Sequence, residues 1–577
     1  MRIINVIQQL LPTAAPSFEP GTLSRRMGLS SNLACPTWPP DIFSVVGTII
    51  DRSGCYTQAS PDRDDLIEHE AYLDRVEAIA ASWDNLLAVP EALRWLWETL
   101  VIDHGQVSLD NIKDRPRTLE TLLLLFAVAD EASQGMGWGA DANGVLSDFA
   151  TAVLTNAVSE PGRVTFKLPY WPHSLCRVVP PDQVVVLPKS ITTDKGCTIR
   201  SLSHNLALLP CRTVLNPEWR LVSRVVHDDD ETDLRLVLIP FPYAIPKGSF
   251  ELTSPRKPLK NKTTHAAFFG LHQKWLKTAS GAHLSGIDLA TGLILPLIEA
   301  ATNQAGGKRP NGVVLPECAL DADTAIDLVN ALKGSGIEFL TTGVLEYDEL
   351  SKRWWNQAYT FFTLGRAVAA APQNKHHRWR IDRRQADSYG LDFDTDPDNQ
   401  QWWEDIDVSK RGLPFYALRK DTSMVTLICE DLARMDPAMN AIRAVGPNLV
   451  VALLMDGPQL GARWPGRYAG VLADEPGCSV LSLTCAATVD LSNQHYSATA
   501  KPDQDPMRIV ARWTQRRDGE AHDIELPDGA NGVLLTLRSL PRHQTTLDNR
   551  SDRWQSRELT YVSQQPLAAG QRPAQLA

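Results

Sequence analysis

The sequence predicts a layered α/β domain over residues 231–545, set behind a mostly helical N-terminal region with a small β portion, 1–230, and ahead of a disordered tail, 546–577. Three observations predict this. A chain of 577 residues exceeds the roughly 250–300 at which one hydrophobic core usually divides. Beyond residue 233, short β-branched runs alternate with helix-period segments, the pattern of strands buried under helices. Before that point helical periodicity comes first and strand-like runs follow, so the two halves are patterned differently.

Residues 11–62 are rich in Pro, Ser, Thr and Gly without periodicity and read as irregular chain. From Asp64 onward Leu73, Val76, Ile79 and Ala80 recur at helical spacing, until GMGWGADANG ends the run. Within it LLLLFAVA, 122–129, is followed by Asp130 and Glu131. It falls short of the roughly 18–20 apolar residues of a bilayer span and reads as a core helix. A helix over 145–158 and the strand-like pieces RVTFKL, DQVVVLP, NLALLP and WRLVSRVV complete the region. The acidic HDDDETD, 227–233, reads as a hinge, and a solvated turn between two strands fits it as well.

The α/β part opens on the strand LRLVLIPF. A helix over 287–302, the strand VVLPE, a helix over 322–333, and the strands IEFLTTGV and NQAYTFFTL follow in turn. The last residues, QQPLAAGQRPAQLA, are polar and proline-containing, which is why the tail is expected to be disordered.

Composition narrows the function classes. A formal net charge of -11 and a pI near 5.7 argue against a protein built to coat nucleic acid or an anionic membrane; any nucleic-acid association would run through a partner protein. Nine cysteines, odd in number and without a CxxC pair, read as reduced, buried or catalytic thiols, which implies a cytoplasmic protein. The N-terminus lacks the long apolar region of a secretory signal.

Three short phrases carry chemistry. GVVLPECAL, 312–320, ends a β-branched strand at Glu317, and a carboxylate past a strand end sits at the rim of a sheet, although a cap or surface residue is the commoner reading. MVTLICEDLARMDP, 424–437, ends a second buried strand at Cys429 ahead of a predicted helix, whose N-terminus would favour the thiolate; a buried small hydrophobe is the bland alternative. Between them QNKHHRWRID, 373–382, offers Lys375, which alone would read as part of a solvated basic face. His376 and His377 are adjacent, so their side chains diverge, and no HExxH or cysteine pair accompanies them; no metal is predicted.

Taken in order, the PE after a strand, the Lys after a hairpin-like stretch and the CED after another strand resemble the nitrilase superfamily of carbon–nitrogen hydrolases. TTGV, 341–344, Asn356 in WWNQAYTFF, NLVVALLMDGP and RYAGVLADEPGCSVLSLTCAAT resemble further family segments. The resemblance implies an α-β-β-α sandwich with Cys429 as nucleophile, Glu317 as base and Lys375 as oxyanion partner, acting without cofactor. It also implies a second acidic residue that orients substrate, for which Glu404 is the candidate inside the Asp-, Arg- and Trp-rich insertion 392–411. Glu430 after the nucleophile resembles the amidase and glutaminase branches more than nitrilases, which carry Trp-Glu there. Glu430 and Trp464, with Trp402 and Trp403, are candidates to contact substrate, and ordinary packing is the alternative for the tryptophans. The family pairs sandwiches through helices after the nucleophile, implying a homo-oligomer through 432–445 and 464–476.

The implied reaction is hydrolysis of a small amide or carbamoyl group, ahead of a nitrile, through a cysteine thioester. The ATP-binding half of glutamine-dependent NAD synthetases and the spanning segments of lipoprotein acyltransferases have no counterpart here. The alternative is a catalytically silent, regulatory scaffold: KHHRW, VVVLPKS and RSLSHNLALL resemble nitrilase-like modules linked to bacterial reverse transcriptases in antiphage defence. An active-site reagent labelling Cys429 separates the two.

Overall fold

The structure is a computed structural model that describes the chain except for residues 12–32, 62–65, 84–88, 139–168, 214, 223–232, 255–266, 279, 365–366, 397–398, 420, 500–505, 517–519, 552–555 and 570–577. The helix expected over 145–158, the strand RVTFKL and most of the acidic hinge lie outside the described residues.

In the α/β region the apolar runs become strands buried on both faces. One sheet of seven strands runs in the order Ala367–Asn374, Arg353–Leu364, Phe339–Asp348, Gly312–Val314, Asp233–Leu238, Gly532–Arg542, Ser556–Leu567. A second runs Ala521–Glu525, Ile509–Thr514, Ser479–Leu483, Leu449–Leu453, Thr422–Ile428, Gly412–Arg419, Asn216–Leu221. The period of two decides the layering. Leu236, Leu238 and Val314 share one core with Leu427 and Val450 of the second sheet. Val237, Val313 and Leu340 point the other way, into a core with Leu297, Ile298 and Leu328 of the helices Leu295–Gln304 and Ala322–Ala331. On the far side the helix Trp464–Asp474 covers the second sheet. The result is the α-β-β-α sandwich.

Parallel pairing sets the direction of the centre. Asp233–Leu238, Gly312–Val314 and Phe339–Asp348 run parallel, as do Thr422–Ile428, Leu449–Leu453 and Ser479–Leu483. Glu317 and Cys429 both leave the carboxyl ends of such strands, where α/β sheets build their sites.

The sandwich does not respect the boundaries expected from sequence. Asn216–Leu221, which overlaps the expected strand WRLVSRVV at Trp219–Leu221, pairs in parallel with Gly412–Arg419 and so extends the second sheet from before residue 231. Ser556–Leu567 pairs along the whole of Gly532–Arg542, which corrects the expectation of a disordered tail over 546–577. With Leu559 buried in the core between the sheets and Leu567 in the core on the other face, it satisfies the open edge of a long strand. Arg550, in the loop before it, is buried and pairs with Asp130 at 3.1 Å, Glu131 at 2.7 Å and Asp548 at 3.0 Å, fastening this segment to the helix Pro116–Glu131.

The N-terminal region is helical, and a helix also occupies part of the stretch expected to be irregular. Pro39–Ser53 is a helix with proline at its start, Gly54 in a left-handed conformation at its end, and Pro39 through Ile50 buried. Burial on every side removes the polar stripe that makes a helix visible in sequence. Its Asp41 accepts the N–H groups of Arg177, Val178 and Val179 at 2.9–3.1 Å. The run LLLLFAVA lies in Pro116–Glu131 and is buried, and no helix among the described residues is long and apolar enough to cross a membrane.

Strands Val184–Pro188 and Leu206–Pro210 form the seam between the halves. Val184, Val186 and Leu206 join the helical core, whereas Val185, Leu187, Ala207 and Leu209 join the core of the sandwich. The helix Met439–Val445 packs against Leu206–Pro210, and the Ser190 N–H donates to the Val445 carbonyl at 2.8 Å. In this segment, one of the two expected to pair with a second copy, the apolar residues Met439, Ala441 and Ile442 are buried within the chain, in the core that also holds Ala207 and Leu209. On Trp464–Asp474, Tyr468 and Val471 stay exposed.

Candidate active site

Glu317, Lys375, Glu404 and Cys429 are all buried, and four separate elements deliver them. Glu317 follows Gly312–Val314 in a turn held by Gly343 of the next strand, where the Gly343 N–H donates to the Pro316 carbonyl at 3.0 Å. A Cβ on Gly343 would lie 2.5 Å from both Glu317 Cα and Pro316 O, so only glycine fits. Lys375 follows Ala367–Asn374, and its N–H donates to the Asn356 carbonyl at 2.8 Å. Glu404 ends Gln401–Glu404, a strand of a small four-stranded sheet with Arg380–Asp382, Ala267–Leu271 and Phe250–Ser254. The insertion therefore places a site residue, because Trp402, buried under Phe393 and hydrogen-bonded to Asp394 at 2.6 Å, anchors the strand that carries Glu404.

Lys375 Nζ donates to Glu317 Oε1 at 2.8 Å and to Glu404 Oε2 at 2.7 Å. Asn356 Nδ2 spans the same two carboxylates at 2.8 Å each, and the Trp379 N–H donates to Glu404 Oε2 at 2.9 Å. Glu317 Oε2 is buried and has no hydrogen-bond partner among the described residues. Burial raises the Glu317 carboxyl, Lys375 opposes this and the Glu404 charge adds to it, so the net direction is upward. Burial works against the Lys375 ammonium, yet Glu317 and Glu404 outweigh it and hold the lysine well above its ordinary value. Glu317, Cys318 and Glu404 form a cluster that could ligate a metal, but the ammonium already bridges its two carboxylates.

Cys429 follows the strand Thr422–Ile428 with φ of 44°, a left-handed conformation that costs a residue with a Cβ about 1–3 kcal/mol and persists only where the surroundings enforce it. Burial pushes its thiol well up, Glu317 adds to this and Lys375 opposes it. The expected thiolate at a helix N-terminus is thereby corrected. The segment after Cys429 is a short 3-10 turn, Cys429–Ala433, and the α-helix begins only at Met439, too far on to stabilise a charge at the sulfur.

Sequence reasoning missed Asp431. It is buried, accepts the His376 N–H at 3.0 and 3.1 Å and meets His377 Nδ1 at 2.9 Å, tying the turn after the cysteine to the turn after the lysine. A second carboxylate directly after Glu430, two residues beyond Cys429, was its signal. The link uses the His376 backbone and the His377 ring, while the His376 ring meets the Gly412 carbonyl at 3.0 Å. Glu430 lines an open cavity beside the site together with His377, Trp403 and Arg463. Trp464 does not line it: the ring is half-buried against the core of the sandwich, and its neighbour Arg463 is the residue that faces the cavity.

Neither a family model nor a curated protein matches the chain. Solved structures do. Nit3 of Saccharomyces cerevisiae, a member of branch 10 of the nitrilase superfamily, is 12% identical over 53% of this chain and 90% of its own, with a TM-score of 0.29. The NitFhit protein of C. elegans is 13% identical over 53% of this chain and 61% of its own, with a TM-score of 0.31. A glutamine-dependent NAD(+) synthetase from Cytophaga hutchinsonii is 12% identical over 53% of this chain and 42% of its own, with a TM-score of 0.26. The last two alignments thus span less than two thirds of the proteins they match. A nitrilase-superfamily member, the yeast Nit3, stands among the structural neighbours of this chain.

Proposed function

We propose that the chain is a carbon–nitrogen hydrolase that cleaves a small amide or carbamoyl compound through a thioester on Cys429. The observation that carries this reading is the division of labour within Glu317. One oxygen is held by Lys375 and Asn356, and the other is buried without a partner among the described residues, in a site that also holds a buried thiol. A buried oxygen of this kind costs about 1–3 kcal/mol. Asp41 and Asp456 carry one as well, but Glu317 combines it with a lysine and a thiol in the same site, where a general base would use it.

The chemistry follows from the protonation states. Cys429 begins as a thiol, and Glu317, raised by burial, is a carboxylate able to hold a proton. As sulfur attacks the carbonyl carbon, the thiol proton passes to Glu317 and the carbonyl electrons move to oxygen. Lys375 Nζ and the Glu430 backbone N–H are the donors available to that oxyanion. Collapse of the adduct expels the amine, which takes the proton from Glu317 and leaves the thioester. Water then gives a proton to Glu317 and attacks the thioester, and the returning proton restores the thiol as the carboxylic acid departs. Glu404 acts through Lys375: its charge keeps the ammonium protonated and aimed.

The test is incubation of the full-length protein with a mixed amide, carbamoyl and nitrile library, reading ammonia release and the intact mass of an acyl adduct. An adduct on Cys429 with ammonia released is the expected result. A folded protein that forms no adduct and releases no ammonia, and whose Cys429 resists an active-site reagent, fits the silent-scaffold alternative instead.

A further inference from the structure

Beside the buried residues lies an open cavity of about 830 Å³, within the range of small-molecule sites. Its lining brackets the site: Glu430 follows Cys429, His377 lies two residues beyond Lys375, and Trp403 precedes Glu404. Five arginines line it, Arg378, Arg380, Arg384, Arg434 and Arg463, against two carboxylates, Asp382 and Glu430.

The carboxylates are already engaged. Glu430 pairs with Arg434 at 2.8 Å, and Asp382 caps the helix Arg383–Ser388 by accepting the Gln385 N–H at 2.8 Å. Arg463 is neutralised by Asp456 at 2.7 Å. Arg378, Arg380 and Arg384 form no ion pair among the described residues. Two of these three are pre-positioned. Arg378 Nε donates to the Ile406 carbonyl at 3.0 Å, and the Arg380 guanidinium lies over the Trp403 ring at 5.6 Å. A solvated basic face would not require such fixing. In a chain of net charge -11, three guanidinium groups without an ion-pair partner among the described residues, Arg378 also in the field of Asp407, make this cavity locally cationic and favour an anion there. Guanidinium is the side chain best matched to a planar carboxylate or a phosphate.

We propose that this cavity selects an anionic substrate: the compound cleaved at Cys429 carries, remote from its scissile amide, a carboxylate or phosphate held by Arg378, Arg380 and Arg384. The inference rests on the reading of Cys429 as nucleophile for the word substrate, and on the cavity alone for binding of the anion. Trp403 and Tyr389, both in the lining, supply flat surface for the body of the molecule between the two ends.

The test separates those supports. Three aromatic amides differing only at the para position, 4-carbamoylbenzoate, 4-carbamoylphenyl phosphate and the neutral methyl 4-carbamoylbenzoate, are titrated calorimetrically into the full-length Cys429→Ala protein, so that turnover does not intrude. Wild-type protein with ammonia detection gives kcat/KM for each. At least one anion is expected to bind tenfold or more tightly than the ester, roughly the worth of one charge-assisted contact. The carboxylate and phosphate arms show which anion it is. The preference should fall away in Arg380→Ala/Arg384→Ala, whose two arginines are exposed, while the melting temperature holds. Equal binding of anion and ester, no binding of any of the three, or a preference that survives both substitutions overturns the proposal. Anion-selective binding without ammonia from any amide leaves the cavity assignment standing and removes the hydrolase reading. Hydrolysis of ester and anions at equal kcat/KM does the reverse.

Discussion

Replacing Glu404 by glutamine tests whether the second carboxylate is part of the chemistry. Glu404 accepts three donors, Lys375 Nζ at 2.7 Å, Trp379 N–H at 2.9 Å and Asn356 Nδ2 at 2.8 Å. A glutamine has one acceptor oxygen, so whichever way its amide turns, an NH2 faces at least one of these donors. Leaving a buried donor unmatched costs about 1–3 kcal/mol, and breaking a buried ion pair outright about 3–5 kcal/mol. Lys375 keeps its contact with Glu317, so the lower part of that span applies. A loss of about 2–3 kcal/mol of transition-state stabilisation is a fall of roughly 30- to 150-fold in kcat/KM. The pH profile adds a signature that misfolding would not give. Activity that needs ionised Glu317 rises with pH through its pKa, and the Glu404 charge is one of the causes that raise that pKa. In Glu404→Gln the acid limb therefore moves to lower pH even as the plateau drops. Alkylation of Cys429 by iodoacetamide, followed by intact mass across the acid and neutral range, reports the same limb without a known substrate. A variant that alkylates at the wild-type rate with an unmoved limb refutes the coupling.

Cys429→Ala should abolish turnover and keep the fold; Cys429→Gly should be equally inactive yet more stable than the alanine variant by about 1 kcal/mol in urea melts, because only glycine accepts the left-handed backbone without strain. Glu317→Gln and Lys375→Ala should each lower kcat/KM about a hundredfold or more, and Lys375→Ala should also lose stability, since it leaves two carboxylates facing one another in a buried site. Gly343→Ala should cost about 1–3 kcal/mol or more and depress activity with it, because its Cβ meets backbone of the Glu317 turn that cannot move aside. His204 is held neutral by burial and the nearby Arg550, which lower it to about 4 from 6.5. The unfolded chain then binds the extra proton first, so stability is present above 6.5 and is lost as pH falls through about 4, by at most about 3 kcal/mol and less for a ring partly in contact with solvent. His204→Gln should flatten that slope in urea midpoints taken at neutral and acid pH.

What the sequence makes legible follows from what periodicity can encode. VVLPE and MVTLIC are legible as short buried strands, but Glu317 and Cys429 at their ends stand out only through the order in which they flank Lys375, the order that resembles the family. Glu404 is harder. Its neighbours Trp402 and Trp403 signal packing, and nothing local says that the strand Gln401–Glu404 will pair with Ala267–Leu271, more than a hundred residues away. The strand Ser556–Leu567 is hidden for the opposite reason: its polar face is read as disorder unless its partner, Gly532–Arg542, is already known to be an unpaired edge. Pro39–Ser53 escapes notice because a helix buried on all sides shows no stripe. The seam strand VVVLP is visible as an apolar run, but one sequence cannot say that its two faces belong to two different cores.

The same contrast divides chemistry from selectivity. The groups proposed to break the bond are carried by sheet ends and buried among rigid strands, with Asn356 and Lys375 each tied to two carboxylates; their geometry is fixed by the fold before any substrate arrives. The arginines of the cavity sit on the segment from Arg378 to Arg384, between Lys375 and the insertion, and on the turns after Cys429 and before Trp464. These can change without disturbing the core. Asp431 is where the two meet, since it holds the turn after Cys429 to His376 and His377 and so sets where the arginine segment begins. Asp431→Asn should accordingly leave Glu317, Lys375 and Glu404 in place while loosening the cavity wall. Its effect should appear in KM for an anionic amide more than in kcat, and an equal loss in both would mean that Asp431 supports the nucleophile itself.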